Sequence, residues 1–469
     1  MKEKLRCDKM QKTRENKMGV LNVNTLLLSM AIPMIISMLV QALYNIVDTM
    51  FVSKLGQDAL TALSLAFPVQ NLLIAVSVGT GVGVNALLSR SLGEKNYERA
   101  NKTAESGIFL SMASAFVVML MGFFLVRAYF NSFGSSENVI NLGTDYLSIC
   151  MIFSFGLFGQ VMFEKLLQST GKTAYSMVVQ LVGAVANIIL DPIMIYGLLG
   201  FPEMGVRGAA LATVSGQIIA LFVGIFINKK FNKEINISLK GCTKPKKDIV
   251  KRIYSVGIPS ICMASIGSVM NVGINQIMRL FSASTAATGQ AVFGIYFKLQ
   301  SFVFMPIFGL NNGMVPIVAY NFGAKNPERI KKTITLAVMY ACLIMVIGFS
   351  LFQIIPEKLL RIFDTGGEDM KEIVRIGIPM MRSISVSFLM AGYCIVAGSV
   401  FQALGKGVLS LVVSVLRQLV VLVPVAFLIA FFTRDITLMW LSFPIAEIAS
   451  IIMSMIYMKR IYKNEINVL

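Results

Sequence analysis

Along this chain, long apolar runs alternate with short polar ones that are mostly basic. Twelve stretches of about 20 or more apolar residues, the length that carries a helix across about 30 Å of hydrocarbon, lie near 26–52, 59–89, 104–126, 142–163, 174–197, 208–228, 253–278, 289–317, 333–355, 376–401, 408–432 and 436–458. Each predicts a membrane-spanning helix. Period-two alternation in segments of about ten residues, the mark of a membrane β-barrel, is absent. The pattern therefore predicts an all-α polytopic membrane protein with 12 transmembrane helices.

Composition agrees, because 56% hydrophobic and 14% charged residues supply more apolar surface than one soluble core buries. The basic residues then orient the chain. With the N-terminus inside, 30 of the 42 Lys and Arg fall in the tails and connections of one side and 9 on the other; the remaining 3, Lys298, Arg382 and Arg417, lie within spans. Lys and Arg flanking a span are retained on the cytoplasmic side, so both termini are expected in the cytoplasm. The net charge of +18 is thus mainly a feature of the inner membrane surface, densest in "NKKFNKEINISLKGCTKPKKDIVKR" (228–252). A nucleic-acid partner is not expected, since no basic folded domain is available.

Several chemistries are excluded by what the chain lacks. It contains 0 His, which removes Ser-His-Asp triads, Cys-His pairs and His-ligated metals. The 6 Cys form no C-x-x-C and mostly lie in spans, as small buried apolar residues do. "STGKT" (169–173) ends like a phosphate-binding loop, but Leu166 stands where that loop needs its first glycine. "GTGVG" (79–83) sits inside an apolar helix with no strand before it, so close helix packing through small residues is expected there. Neither an enzymatic activity nor a cofactor is predicted.

The chain also repeats itself. "SLGEKNYERANK" (91–102) returns as "NFGAKNPERIKK" (321–332), "QSTGKT" (168–173) as "QALGKG" (402–407), and "AIPM" (31–34) as "GIPS" (257–260), at offsets of 230, 234 and 226. These matches predict an N-terminal six-helix bundle (1–228), a basic cytoplasmic linker (229–252) and a C-terminal six-helix bundle (253–469). Six is even, so the two bundles are parallel repeats related by a pseudo-twofold axis along the membrane normal. That layout is expected of a secondary transporter with its substrate site between the bundles.

Carboxylates inside apolar spans are costly and mark ion or substrate paths by default. Asp191 interrupts "NIILDPIMIYG" (187–197), and aligning the prolines of "DPIM" and "VPVA" (423–426) places Val423 opposite it in the other repeat. Fold symmetry does not require that acid. Gln41, Tyr44, Asn45 and Asp48 recur every three or four residues and form one polar stripe on the first helix, as a cavity wall would. Glu164 closes span 4 beside Lys165, a boundary position where a carboxylate costs little. Glu447 is a weaker candidate with no polar stripe beside it. Lys298 and Arg417 are expected to tune the charge of the second bundle or to pair across helices.

At this point "QALYNIVDTMFVSKLG" (41–56), "NIILDP" (187–192), "MVPIVAYNFGAKN" (314–326), "FQALGKG" (401–407) and "RQLVVLVP" (417–424) resemble the multidrug and toxic compound extrusion (MATE) family, most of all its bacterial multidrug branch. The resemblance implies a multi-pass protein of the bacterial plasma membrane, acting as a monomer in the lipid bilayer. It would export structurally varied cationic amphiphilic drugs, and so confer antibiotic resistance, in exchange for inward Na⁺ or H⁺. It also implies a cation-coupling set of Asp48 and Asp191, supported by Tyr44, Asn45 and Asn187, with Glu164 matching an acid of close relatives. Gln41, Lys298 and Arg417 complete the expected cavity lining. Another branch carries acids in helices 7 and 10, and this chain has none there. The alternative is a flippase for a lipid-linked oligosaccharide or cell-wall precursor, whose polyanionic substrate calls for a cationic cavity.

Overall fold

The computed structural model describes residues 16–363 and 370–469. It is helical, with no strand among those residues. The first series of helices is α1 (Val23–Ser53), α2 (Gln57–Gly93), α3 (Tyr97–Phe124), α4 (Glu137–Ile152), α5 (Phe155–Ser169), α6 (Thr173–Tyr196) and α7 (Val206–Phe231). The second is α8 (Lys247–Met278), α9 (Ala283–Gly323), α10 (Pro327–Ile354), α11 (Met370–Ser385), α12 (Phe388–Ala403), α13 (Gly407–Thr433) and α14 (Ile436–Ile466).

Ten of these helices are long and apolar enough to cross a bilayer singly, and the count reaches 12 when each bent pair is one span. The bent pairs are α4 with α5, at 45°, and α11 with α12, at 50°. They correspond to the expected spans 4 and 10, which are therefore broken rather than straight. Neither break holds a Pro: the turns fall at Phe153–Ser154 and Val386–Ser387, and the Ser387 hydroxyl donates to the Ile384 carbonyl at 2.6 Å. A side chain that takes over a backbone acceptor at the last turn lets the ladder stop without an orphan group.

The repeat extends to the backbone. Lys95 and Lys325, 230 residues apart, both hold a positive φ, 56° and 55°, a region that non-Gly residues enter rarely. Each ends the turn that follows a long helix. The next residues, Asn96 and Asn326, cap α3 and α10 by accepting the backbone N–H of Arg99 and Arg329, which satisfies one of the four orphan donors of each helix.

The two series meet through glycines placed reciprocally. A Cβ on Gly93 would stand 1.9 Å from the Tyr320 carbonyl oxygen, and one on Gly323 would stand 2.1 Å from the Arg90 carbonyl oxygen. Gly79 abuts Ile261 and Gly309 abuts Ile35 in the same mirrored manner. Two like surfaces related by a twofold must contact each other this way. The contacts lie in the first part of α1 and α8 and the last part of α2 and α9, so one end of the molecule is sealed by bare backbone. Asp48 and Asp191 lie toward the opposite end of their helices.

Candidate functional site

Asp48 stands in the last two turns of α1 and Asp191 in the second half of α6, immediately before Pro192. Pro192 lacks an N–H and loosens the helix at that level. α1 and α6 pack side by side. The packing brings the two carboxyl groups within reach of each other, although 143 residues separate them in sequence. Two carboxyls meet at that distance only with a proton or a cation between them, because like charges repel.

The surroundings of the pair are polar but dry. Asp191 is fully buried and Asn187, one turn earlier, nearly so. The Asn187 amide donates to Asp191 at 3.0 Å. The Tyr44 hydroxyl, one turn before Asp48, is hydrogen-bonded to Thr213 of α7. Beside them Gln70 of α2 donates to the Tyr146 hydroxyl of α4 at 3.0 Å. The site is thus a set of oxygen donors from α1, α6 and α7, walled by α2 and α4. Oxygen donors suit a proton or a hard cation rather than a soft metal. Among the described residues no group of three His, Cys, Asp or Glu could hold a metal ion.

The other expected site residues take separate places. Gln41 lies two turns before Asp48 on α1, toward the sealed end, and accepts from Gln180 of α6 at 2.5 Å. Asn45 lies on the exposed side of α1. Glu164, in the last two turns of α5, is buried against protein and accepts from Gln160 at 2.9 Å. Lys165 is buried beside it. Its ammonium donates to Gln168 and to Asn312 of α9, each at 2.9 Å, and its stem fills the space that Gly81 leaves open.

In the second series, Lys298 is exposed on α9 with its ammonium 5.7 Å from the centre of the Phe363 ring. Arg417 pairs with Glu447 of α14 at 3.4 Å. Both basic residues lie in the series opposite the carboxyl pair. Arg417 sits at the start of a π-helical stretch, Leu416–Leu422, a wider winding that frequently accompanies functional positions. Reading the sequence alone missed Gln70, Tyr146, Thr213 and Lys165 as parts of these networks. Polar residues inside apolar runs were the available signal for the first three.

Comparison with known proteins places this geometry. The family model MatE matches residues 33–193 and 264–428, one stretch in each helix series. The multidrug export protein MepA of Staphylococcus haemolyticus is 28% identical over 85% of this chain and 85% of its own. MepA of Staphylococcus aureus is 27% identical with the same coverage. A solved transporter of the MOP superfamily from Pyrococcus furiosus superposes with a TM-score of 0.89 at 25% identity, over 96% of this chain and 98% of that one. A multidrug resistance MATE family transporter solved in an outward-facing conformation matches with a TM-score of 0.89 at 24% identity, over 97% and 99%. The chain belongs to the MatE family, and it is a membrane transporter, not an enzyme.

Proposed function

We propose that this transporter is a multidrug exporter that moves cationic amphiphilic drugs outward in exchange for Na⁺ or H⁺ at the Asp48–Asp191 pair. The observation that carries this reading is the meeting of two intramembrane carboxyls in a dry, oxygen-lined recess. With both ionised, the recess attracts a lipophilic cation. A proton or Na⁺ arriving from the far side neutralises the pair and removes the attraction, so the drug leaves. Drug and ion compete for one charge, and competition of this kind is what couples their opposite movements.

Relatives named as multidrug export proteins support the substrate class and an expected role in antibiotic resistance. The basic count supports an orientation in which both termini and the sealed end face the cytoplasm, so that the carboxyl pair lies toward the outer side in this conformation. The two helix series then act as the rocking bundles, 1–228 and 253–469, joined by the linker 229–252. A flippase for a polyanionic precursor would need net positive charge between the bundles. Arg417 is already neutralised by Glu447, which leaves Lys298 alone among the two basic candidates.

The test is efflux of a fluorescent lipophilic cation from liposomes under an imposed Na⁺ gradient and, separately, a proton gradient. One gradient is expected to drive efflux in the wild type and to fail in Asp191→Asn. Gradient-driven efflux that survives in both Asp48→Asn and Asp191→Asn would remove the pair from the coupling path.

A further inference from the structure

The sealed end carries a second polar recess, far from the carboxyl pair. A cavity of about 370 Å³ opens between the α2–α3 turn and the start of α8. It is lined by four cations, Arg99, Lys102, Lys246 and Arg252, and by two acids, Glu98 and Asp248. Glu98 is engaged by Lys102, and Arg99 also holds Glu94 through Nη1 at 2.9 Å. Even so, cations outnumber acids in the lining, and Lys102 and Lys246 meet as like charges. The Nη2 of Arg99 is buried with no hydrogen-bond partner among the described residues. A buried guanidinium donor left unpaired is costly, and Arg99 is part of the cavity lining.

The internal repeat shows what kind of partner is missing. Arg329 is the counterpart of Arg99 at the offset of 230, on the third residue of its own helix. Its Nη2 donates to the carbonyl oxygens of Met18 and Leu21, at 3.0 and 2.7 Å. Two oxygens fill that position in one half, and none among the described residues does in the other. The α8 N-terminus adds free backbone N–H groups, since Lys246 caps it without a side-chain hydrogen bond, and such a terminus favours an anion.

We propose that this cavity binds a phosphate group, held by Arg99, Lys246 and Arg252, bridging the two bundles at the sealed end. The chemistry is that of an anionic oxygen cluster matched to guanidinium and ammonium donors. Its level, where the apolar parts of α3 and α8 begin, is that of a membrane headgroup layer, where basic recesses between helices take anionic lipids. Inorganic phosphate presents the same oxygens. Neither the proposed coupling ion nor the proposed drugs enter this inference, so either can fail without the other.

The experiment titrates purified full-length protein in detergent with phosphatidylglycerol, with phosphatidylcholine and with inorganic phosphate, reading retained adducts by native mass spectrometry and the shift in thermal midpoint. Phosphatidylglycerol is expected to bind and stabilise, and to bind about tenfold or more weakly to the double variant Lys246→Gln, Arg252→Gln. The variant Lys229→Gln, Lys230→Gln, equal in charge but outside the cavity, should bind as the wild type does. Lys102→Gln supplies a second cavity variant with a smaller loss. Protection by inorganic phosphate, lost in the double variant and matched by no selectivity among lipids, would assign the site to free phosphate. Equal binding of phosphatidylglycerol by wild type and double variant, with no phosphate effect, would overturn the proposal.

Discussion

At the scale of single residues, the molecule keeps two kinds of buried charge. The Asp48–Asp191 pair is the proposed place of a mobile ion, whereas Arg417 and Glu447 are paired with each other. Glu447 is almost wholly buried, and among the described residues its Oε1 has no partner in hydrogen-bonding geometry. Removing one member of a buried pair costs about 3–5 kcal/mol because the other charge stays uncompensated. Arg417 retains 28% side-chain exposure, so Glu447→Gln should fall at or below the lower end of that range. The double variant Arg417→Met, Glu447→Leu should recover most of the loss, as replacement of both partners by apolar groups generally does. Thermal unfolding of the three proteins in one detergent checks this, and a double variant no better than Glu447→Gln would contradict it. Sequence reading could flag Asp48, Asp191 and Arg417 because each breaks an apolar run. It could not pair Arg417 with Glu447, or join Asp48 to Asp191, because partners so far apart in sequence are chosen by helix packing.

At the scale of helices, the sealing surface depends on positions where any side chain is too large. Gly93 and Gly323 lie on backbone carbonyls of the opposite series, and backbone cannot step aside as a flexible side chain can. Overpacking typically costs about 1–3 kcal/mol, and here that cost falls only on the closed arrangement. Gly93→Ala should therefore fold but shift the equilibrium toward an arrangement open at this end by roughly five- to hundredfold. Distances between spin labels at the exposed positions Tyr97 and Lys332 would lengthen in the variant; an unchanged distribution would refute the idea. "GTGVG" had already pointed to close packing through small residues, and Gly79, Gly81 and Gly83 all serve it. The twelve apolar runs were legible because spanning length is set by the bilayer itself. The breaks within spans 4 and 10 were not, since hydropathy continues across Ser154 and Ser387 and no Pro stands at either bend. The 41 residues of α9 against an apolar run of 289–317 show the same limit: beyond the hydrocarbon, helix length is decided by packing and caps.

For the whole molecule, the sealed end is held by a strap as well as by glycines. Residues 16–21 cross from one series to the other. Asn16 donates to the Glu234 carboxylate, Met18 is fully buried, and the carbonyls of Met18 and Leu21 accept from Arg329 of α10. Arg329 also donates to Asn321 at 3.1 Å. A rocking motion that opens this end must separate α10 from the first series and so break the Arg329 bonds. Arg329→Met should free the strap, and since hydrogen bonds to a charged group contribute about 1.5–3 kcal/mol each, tryptic cleavage after Lys17 should quicken by about tenfold or more. Cleavage at the wild-type rate would place the holding force elsewhere.

The strap is also expected to respond to pH through Glu234, which lies beyond the end of α7. Burial pushes its carboxyl above the ordinary glutamate value of 4.5, against the opposing pull of Lys172, the Asn16 hydrogen bond and Lys17. An acid whose folded value is raised contributes stability at low pH and loses it as pH climbs through that raised value. The strap should therefore hold most tightly in mild acid and loosen toward neutrality. Lys17 acts in the opposite direction: burial lowers its ammonium from 10.5, and the stability linked to a lowered base is lost as pH falls through its folded value, so the Glu234 variant is what isolates the acid's contribution. Glu234→Gln keeps an acceptor for Asn16 while removing the titration. Cleavage after Lys17, followed by mass spectrometry with a protease active across the range, should rise with pH in the wild type and stay flat in Glu234→Gln. A parallel rise in both proteins would assign the pH response to another group.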